Sequence, residues 1–86
     1  MKAFSHTLRN DFPMLLGTAG RLADLSRCYP DTTGMVEMGS RCADLSRPVK
    51  LMTMGARKGD RVTVYADGPS ENELIEVLYE YFDCAM

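Results

Sequence analysis

Residues 51–68, LMTMGARKGDRVTVYADG, decide how the rest of this chain is read. Gly55 closes a short helical segment, because glycine takes the left-handed conformation that ends helices at little cost. The basic Arg57–Lys58–Gly59–Asp60 turn follows. Residues 61–66 then alternate, with Val62, Val64 and Ala66 on one side, the period of a half-buried strand. Asp67 and Gly68 make the next turn. Beyond it, Ser70 and Glu73 stand three apart as in a capping box, ahead of an amphipathic helix running to about Cys84. Its apolar face carries Leu74, Leu78, Tyr81 and Phe82, flanked by Ile75 and Val77. Glu71 and Glu73 suit the positive end of that helix.

Working back from residue 51, Pro48 opens a short helix over 48–54, since proline is tolerated in a first turn. Ser46 or Arg47 starts it. Residues 33–38 and 41–43 read as two short strands around a Gly39–Ser40 turn. Over 18–29 the residues Ala19, Leu22, Leu25 and Tyr29, with Ala23, recur at helical spacing, leaving Asp24, Ser26 and Arg27 on the wetter side. Thr18 is the expected N-cap and Pro30 the stop. Residues 2–8 alternate, with Phe4, His6 and Leu8 together, and Asn10, Asp11 and Pro13 mark a loop. The expected order is βαββαβα in one domain, residues 1–86. The string Ala-Asp-Leu-Ser-Arg occurs at 23–27 and again at 43–47. Nothing around the two copies matches, so no internal repeat is inferred.

Eighty-six residues, 45% hydrophobic and 26% charged, suit one globular domain with one core. No run approaches the ~18 apolar residues of a membrane span, and no apolar signal core precedes the first strand, so a cytoplasmic protein is expected. Cys28, Cys42 and Cys84 have no metal-ligand spacing, and three thiols make no disulfide framework; buried free thiols are expected. The net charge of −2 argues against a polyanion-binding module, and Tyr65 and Tyr79 do not interleave with the basic residues. Charge is nevertheless segregated. Glu71, Glu73, Glu76, Glu80 and Asp83 follow a basic stretch holding Arg47, Lys50, Arg57, Lys58 and Arg61.

The stretch 51–68 resembles the bacterial phosphocarrier family HPr, whose members read M-x-L-G-A-x-x-G-D-x-V-T-x-x-A-x-G into a last amphipathic helix. The element order agrees with that family along nearly the whole chain. The resemblance implies an α+β open-faced β-sandwich, its antiparallel four-stranded sheet covered on one side by helices. It also implies a role in the sugar phosphotransferase system with protein partners and no cofactor, metal, nucleic acid or membrane. In the family, Gly-Leu-His-Ala-Arg-Pro-Ala opens the first helix and its histidine accepts phosphate. Here the histidine position is Leu15, the arginine position Gly17 and the proline position Thr18. Leucine has no nucleophilic atom. The expectation is therefore a degenerate member that does not carry phosphate on histidine and acts through protein contacts or regulation.

His6, the only histidine, falls in the first strand and reads as a half-buried sheet residue. Gly17, Thr18 and Arg21 at the first helix could hold an anion through free backbone N–H groups. The family's regulatory serine caps the second helix. Counting forward from Gly39 gives Ser46 and counting back from Gly55 gives Arg47, so one residue is inserted between. Ser46 is the candidate for regulatory phosphorylation. Val49 and Met52, three apart on that helix beside Arg47 and Lys50, divide evenly between core positions and an apolar docking face with a basic rim. No catalytic residue emerges: Cys28 ends a helix, away from the positive dipole end that activates a thiol, and no histidine lies near it in sequence. The competing reading is a small oligomeric α+β binding module unrelated to phosphotransfer.

Overall fold

A computed structural model of the chain describes residues 1–9 and 16–85. The elements are β1 (Lys2–Thr7), α1 (Leu16–Arg27), β2 (Thr33–Met38), β3 (Arg41–Asp44), α2 (Pro48–Met52), β4 (Arg61–Asp67) and α3 (Glu71–Ala85). The order is the βαββαβα expected.

All strand pairs are antiparallel, in the sheet order β1-β4-β2-β3. Period two divides every strand between two faces. Val36, Ala43, Val62, Val64 and Ala66 are buried under the helices. In register with them stand Phe4 opposite Val64, His6 opposite Val62, and Val36 opposite both Val64 and Ala43. The other face carries Tyr65, which donates to Glu37 Oε1 at 3.4 Å; burial together with that carboxylate pushes the phenol pKa up.

The helices close the core with Ala19, Leu22 and Ala23 of α1, Leu51 of α2, and Leu74, Leu78 and Phe82 of α3, all fully buried. Phe82 is the hub. Its ring meets Phe4 edge-on at 5.6 Å and His6 at 5.6 Å, and Phe4 also meets Tyr79 at 5.3 Å.

Several local expectations give way. α1 begins at Leu16, so Thr18 lies inside its first turn and is not the N-cap. Ser26 is buried, because it sits seven residues after Ala19 on the inward stripe, while Leu25 and Tyr29 pack only partly against the core. Ser70 does precede α3, but its N–H donates to Thr32 Oγ1 at 2.8 Å and its hydroxyl to Asp31 Oδ2 at 3.3 Å. The carboxylate that reaches back belongs to Glu71, not Glu73: its Oε1 accepts from the Gly68 N–H at 3.4 Å. The Met1 ammonium hydrogen-bonds the same carboxylate, and this first, then the Gly68 N–H, holds the Glu71 pKa low. All three cysteines are exposed, contrary to the buried thiols expected. Cys28 follows the last turn of α1, Cys42 is on β3 at the sheet edge, and Cys84 is near the end of α3, lining the groove between α3 and α1.

Candidate functional site

The candidate residues fall in two places, the start of α1 and the segment from β3 through α2. Leu15, at the family's histidine position, lies outside the described residues. Gly17 is exposed and Thr18 half-buried, both in the first turn of α1. Arg21, about one turn further along, lines a groove shared with Leu25, Val77, Glu80 and Tyr81, so its surroundings are those of the α1–α3 seam. His6 is half-buried in β1, as expected, with its Nε2 enclosed and without a hydrogen-bond partner among the described residues.

α2 is short, and its two sides separate cleanly. Leu51 points into the core, and Met54, just past the helix, is buried with it. Val49 is 70% exposed and Met52 40% exposed on the outer side. Arg47 and Lys50 flank them, Lys50 exposed. The even division left by the sequence is thus resolved: Leu51 and Met54 are core, Val49 and Met52 are surface. Five residues make too short a helix to stand alone, and tertiary ties hold it. Arg27 of α1 donates to the Ser46 carbonyl at 3.2 Å at the entry, and Arg41 of β3 donates to the Met54 carbonyl at 2.7 Å at the exit.

The N-cap of α2 is Arg47, with φ −118° and ψ 89°, and among the described residues no side chain caps the helix. Counting back from Gly55 therefore gives the right register, and Ser46 is one residue ahead of the cap. Pro48 is the signal that settles it, since proline favours the first helical position and leaves the residue before it as the cap. The Ser46 hydroxyl is engaged elsewhere. It donates to Asp44 Oδ1 at 2.7 Å, and the Ser46 N–H donates to the same oxygen at 2.8 Å. Sequence reasoning did not single out Asp44; the Asp-x-Ser spacing of an Asx turn was the available sign. Arginine at a cap leaves helix N–H groups unpaired and places a cation at the positive end of the peptide dipoles. Arg47→Ser is expected to stabilise the protein by about 1 kcal/mol, a rise in Tm of roughly 4–8 °C for a domain of this size. Thermal denaturation of the variant checks this; an unchanged or lower Tm would refute it.

Among the described residues, no group of three or more His, Cys, Asp or Glu side chains is placed to hold a metal, and no helix is long and apolar enough to cross a membrane.

Fold and site define a small α+β open-faced sandwich whose second helix shows an apolar, basic-rimmed outer side. The profile described as PTS HPr component phosphorylation site matches residues 14–83. The chain belongs to the HPr family of the phosphotransferase system. Three solved structures show the same fold. HPr-C-His from Thermoanaerobacter tengcongensis superposes with a TM-score of 0.86 at 19% identity, over 96% of this chain and 92% of that one. The histidine-containing phosphocarrier protein of a mycoplasma gives 0.88 at 19% identity, over 98% and 96%. HPr from Bacillus anthracis gives 0.75 at 14% identity, over 95% and 99%. None of the curated proteins matches the chain.

Proposed function

We propose that this protein is an HPr-family domain that does not carry phosphate on histidine and works through protein contacts made by the outer side of α2. The observation that carries the reading is the placement of its single imidazole. His6 is in a strand, half-buried with its ring against Phe82, and the aligned acceptor position holds Leu15. Phosphoryl transfer through the family's histidine needs an exposed ring nitrogen at the opening of α1, and His6 belongs to β1. Arg47, Val49, Lys50 and Met52 form the docking face. Its partner, a phosphotransferase component or a regulator, presents an apolar groove with a carboxylate rim. Ser46, beside the cap, is the serine through which that contact is regulated.

Two experiments test this. Incubation with enzyme I of the phosphotransferase system and phosphoenolpyruvate is expected to give no phosphoprotein. A product stable to alkali and labile to acid would overturn the non-carrier reading. Met52→Asp buries a charge in the proposed contact while leaving Leu51 and the core untouched. It is expected to weaken recovery of phosphotransferase partners about 30-fold, the loss of one apolar anchor worth about 2 kcal/mol. Equal recovery by the variant and the parent protein would count against the face.

A further inference from the structure

We infer that the groove between α1 and α3 receives α2 of a second copy of this chain, so that two copies pair through their helical layers. The inference rests on α2 being a docking element and names one of the things it docks. The groove has a volume of about 380 Å³. Leu25 of α1 with Val77 and Tyr81 of α3 gives it an apolar floor, each of them half-buried against the core. Arg21 stands on its α1 side and Glu80 on its α3 side. Glu73 and Glu80, four residues before Val77 and three after it, share that side of α3, and exposed Glu76 lies beside them. Three carboxylates against one guanidinium make this an apolar groove with an acidic rim.

α2 has the opposite make-up. Val49 and Met52 are exposed on its outer side, Arg47 and Lys50 are exposed beside them, and its first turn holds no acidic residue. Among the described residues, none of Arg47, Lys50, Glu73, Glu76 and Glu80 has an ion-pair partner within the chain. One molecule thus carries two apolar patches with uncompensated rims of opposite sign, and each rim complements the other in a second copy. α1 packs against both α2 and α3, so the patches belong to one helical layer on one side of the sheet. Two copies with these layers facing across a two-fold axis bring each α2 to the other's groove. Two identical contacts then close the assembly at a dimer. Burial of Val49 and Met52 supplies the attraction, while the charges set the orientation and weaken with salt. The dimer covers the side of α2 that meets other proteins, so those partners compete with the second copy.

Sedimentation equilibrium of the purified chain is the test. A monomer–dimer equilibrium is expected, with a Kd of about 10–100 µM at low salt, the weak class suited to so small a contact. Salt at about 0.5 M weakens it at least tenfold or so by screening. One double variant, Glu76→Lys with Glu80→Lys, reverses the groove rim; another, Arg47→Glu with Lys50→Glu, reverses α2. All four side chains are exposed, and an anion at the start of α2 suits its peptide dipoles, so both variants keep the fold. Each alone is expected to be monomeric. Mixed, they form a heterodimer, because every α2 then meets a groove of opposite charge. A parent protein monomeric at about 1 mM, or a mixture as monomeric as its parts, would overturn the inference, and association beyond the dimer would overturn the two-fold pairing. Cys84 gives an independent readout, since it lines the groove. With Cys28→Ser and Cys42→Ser in place, Val49→Cys is expected to yield on mild oxidation a dimer linked from 49 to 84; links only between like positions would refute the seat. If the parent is monomeric and Met52→Asp still weakens partner recovery, this inference fails and the docking reading stands. If the dimer forms and Met52→Asp leaves partner recovery unchanged, the docking of other proteins fails and the pairing stands.

Discussion

Phe82→Ala is expected to destabilise the protein by about 3–5 kcal/mol, a large share of the roughly 5–15 kcal/mol that holds a domain together. The reason is position as much as size. Phe82 is fully buried, and its ring is met edge-on by Phe4 and by His6, both at 5.6 Å. Both neighbours are on β1, which among the described residues has a partner strand only on its β4 side. An edge strand depends more than a central one on what packs against its face, so the cavity would loosen β1 first. Removing the ring also takes away the apolar wall beside His6, whose Nε2 is enclosed. Water entering there would hydrogen-bond that nitrogen and offset a small part of the loss. Urea denaturation is the measurement, and a loss below about 1.5 kcal/mol would show that α3 is held mainly by Leu74 and Leu78.

Gly68→Ala is expected to cost roughly 3 kcal/mol, from backbone strain and close contact together. At φ +147° this residue occupies a region that side chains rarely enter, and a Cβ there would stand 2.6 Å from the Asp31 carbonyl oxygen and 2.7 Å from Thr32 Cα. Those neighbours are backbone and cannot swing aside. The turn they belong to also supplies Thr32 Oγ1 and Asp31 Oδ2 to Ser70, so an alanine would disturb the start of α3 as well. Gly59→Ala is the control: its φ is +93°, but a Cβ would meet nothing within 4 Å. It should cost only the conformational penalty of about 1–2 kcal/mol. If the two variants lose equal stability, the close approach at Gly68 contributes nothing.

β4 and α3 were legible because their signals agreed at every level. Val62, Val64 and Ala66 alternate, and Leu74, Leu78 and Phe82 recur every four residues. A turn glycine separates the two patterns. The sheet and its helical cover follow from that order of elements. The pair of Ala-Asp-Leu-Ser-Arg strings shows where such reading stops. At 23–27 these residues form the last part of α1; at 43–47 they form the end of β3 and the turn into α2. Ser26 of the first copy is buried on a helix, and Ser46 of the second is held by Asp44 in a turn. Identical local propensity yields two conformations, and contacts from elsewhere in the chain choose between them. Arg27, the end of the first copy, even donates to the second at the Ser46 carbonyl.

The candidate site was half legible for a related reason. That Val49 and Met52 share one side of a helix follows from their spacing, but whether that side meets protein or water depends on how the helix lies against the rest of the fold, where Arg27 and Arg41 bond to carbonyls at its two ends. The helix cap was within reach, because Pro48 marks it. The Asp44 bond to Ser46 was less so, since Asp-x-Ser strings form many arrangements and the other copy of this one is helical. The exposed thiols were not legible at all. A cysteine's burial is set by which side of an element it takes, and Cys28, Cys42 and Cys84 all fall at ends and edges where both sides were open to them.

Those three thiols have a practical consequence. They stand in three different parts of the fold, and none is on α2. A fluorophore or spin label attached at each would report from three fixed vantage points on one small frame. Distances from all three to a bound protein would triangulate where it sits, with α2 left chemically untouched.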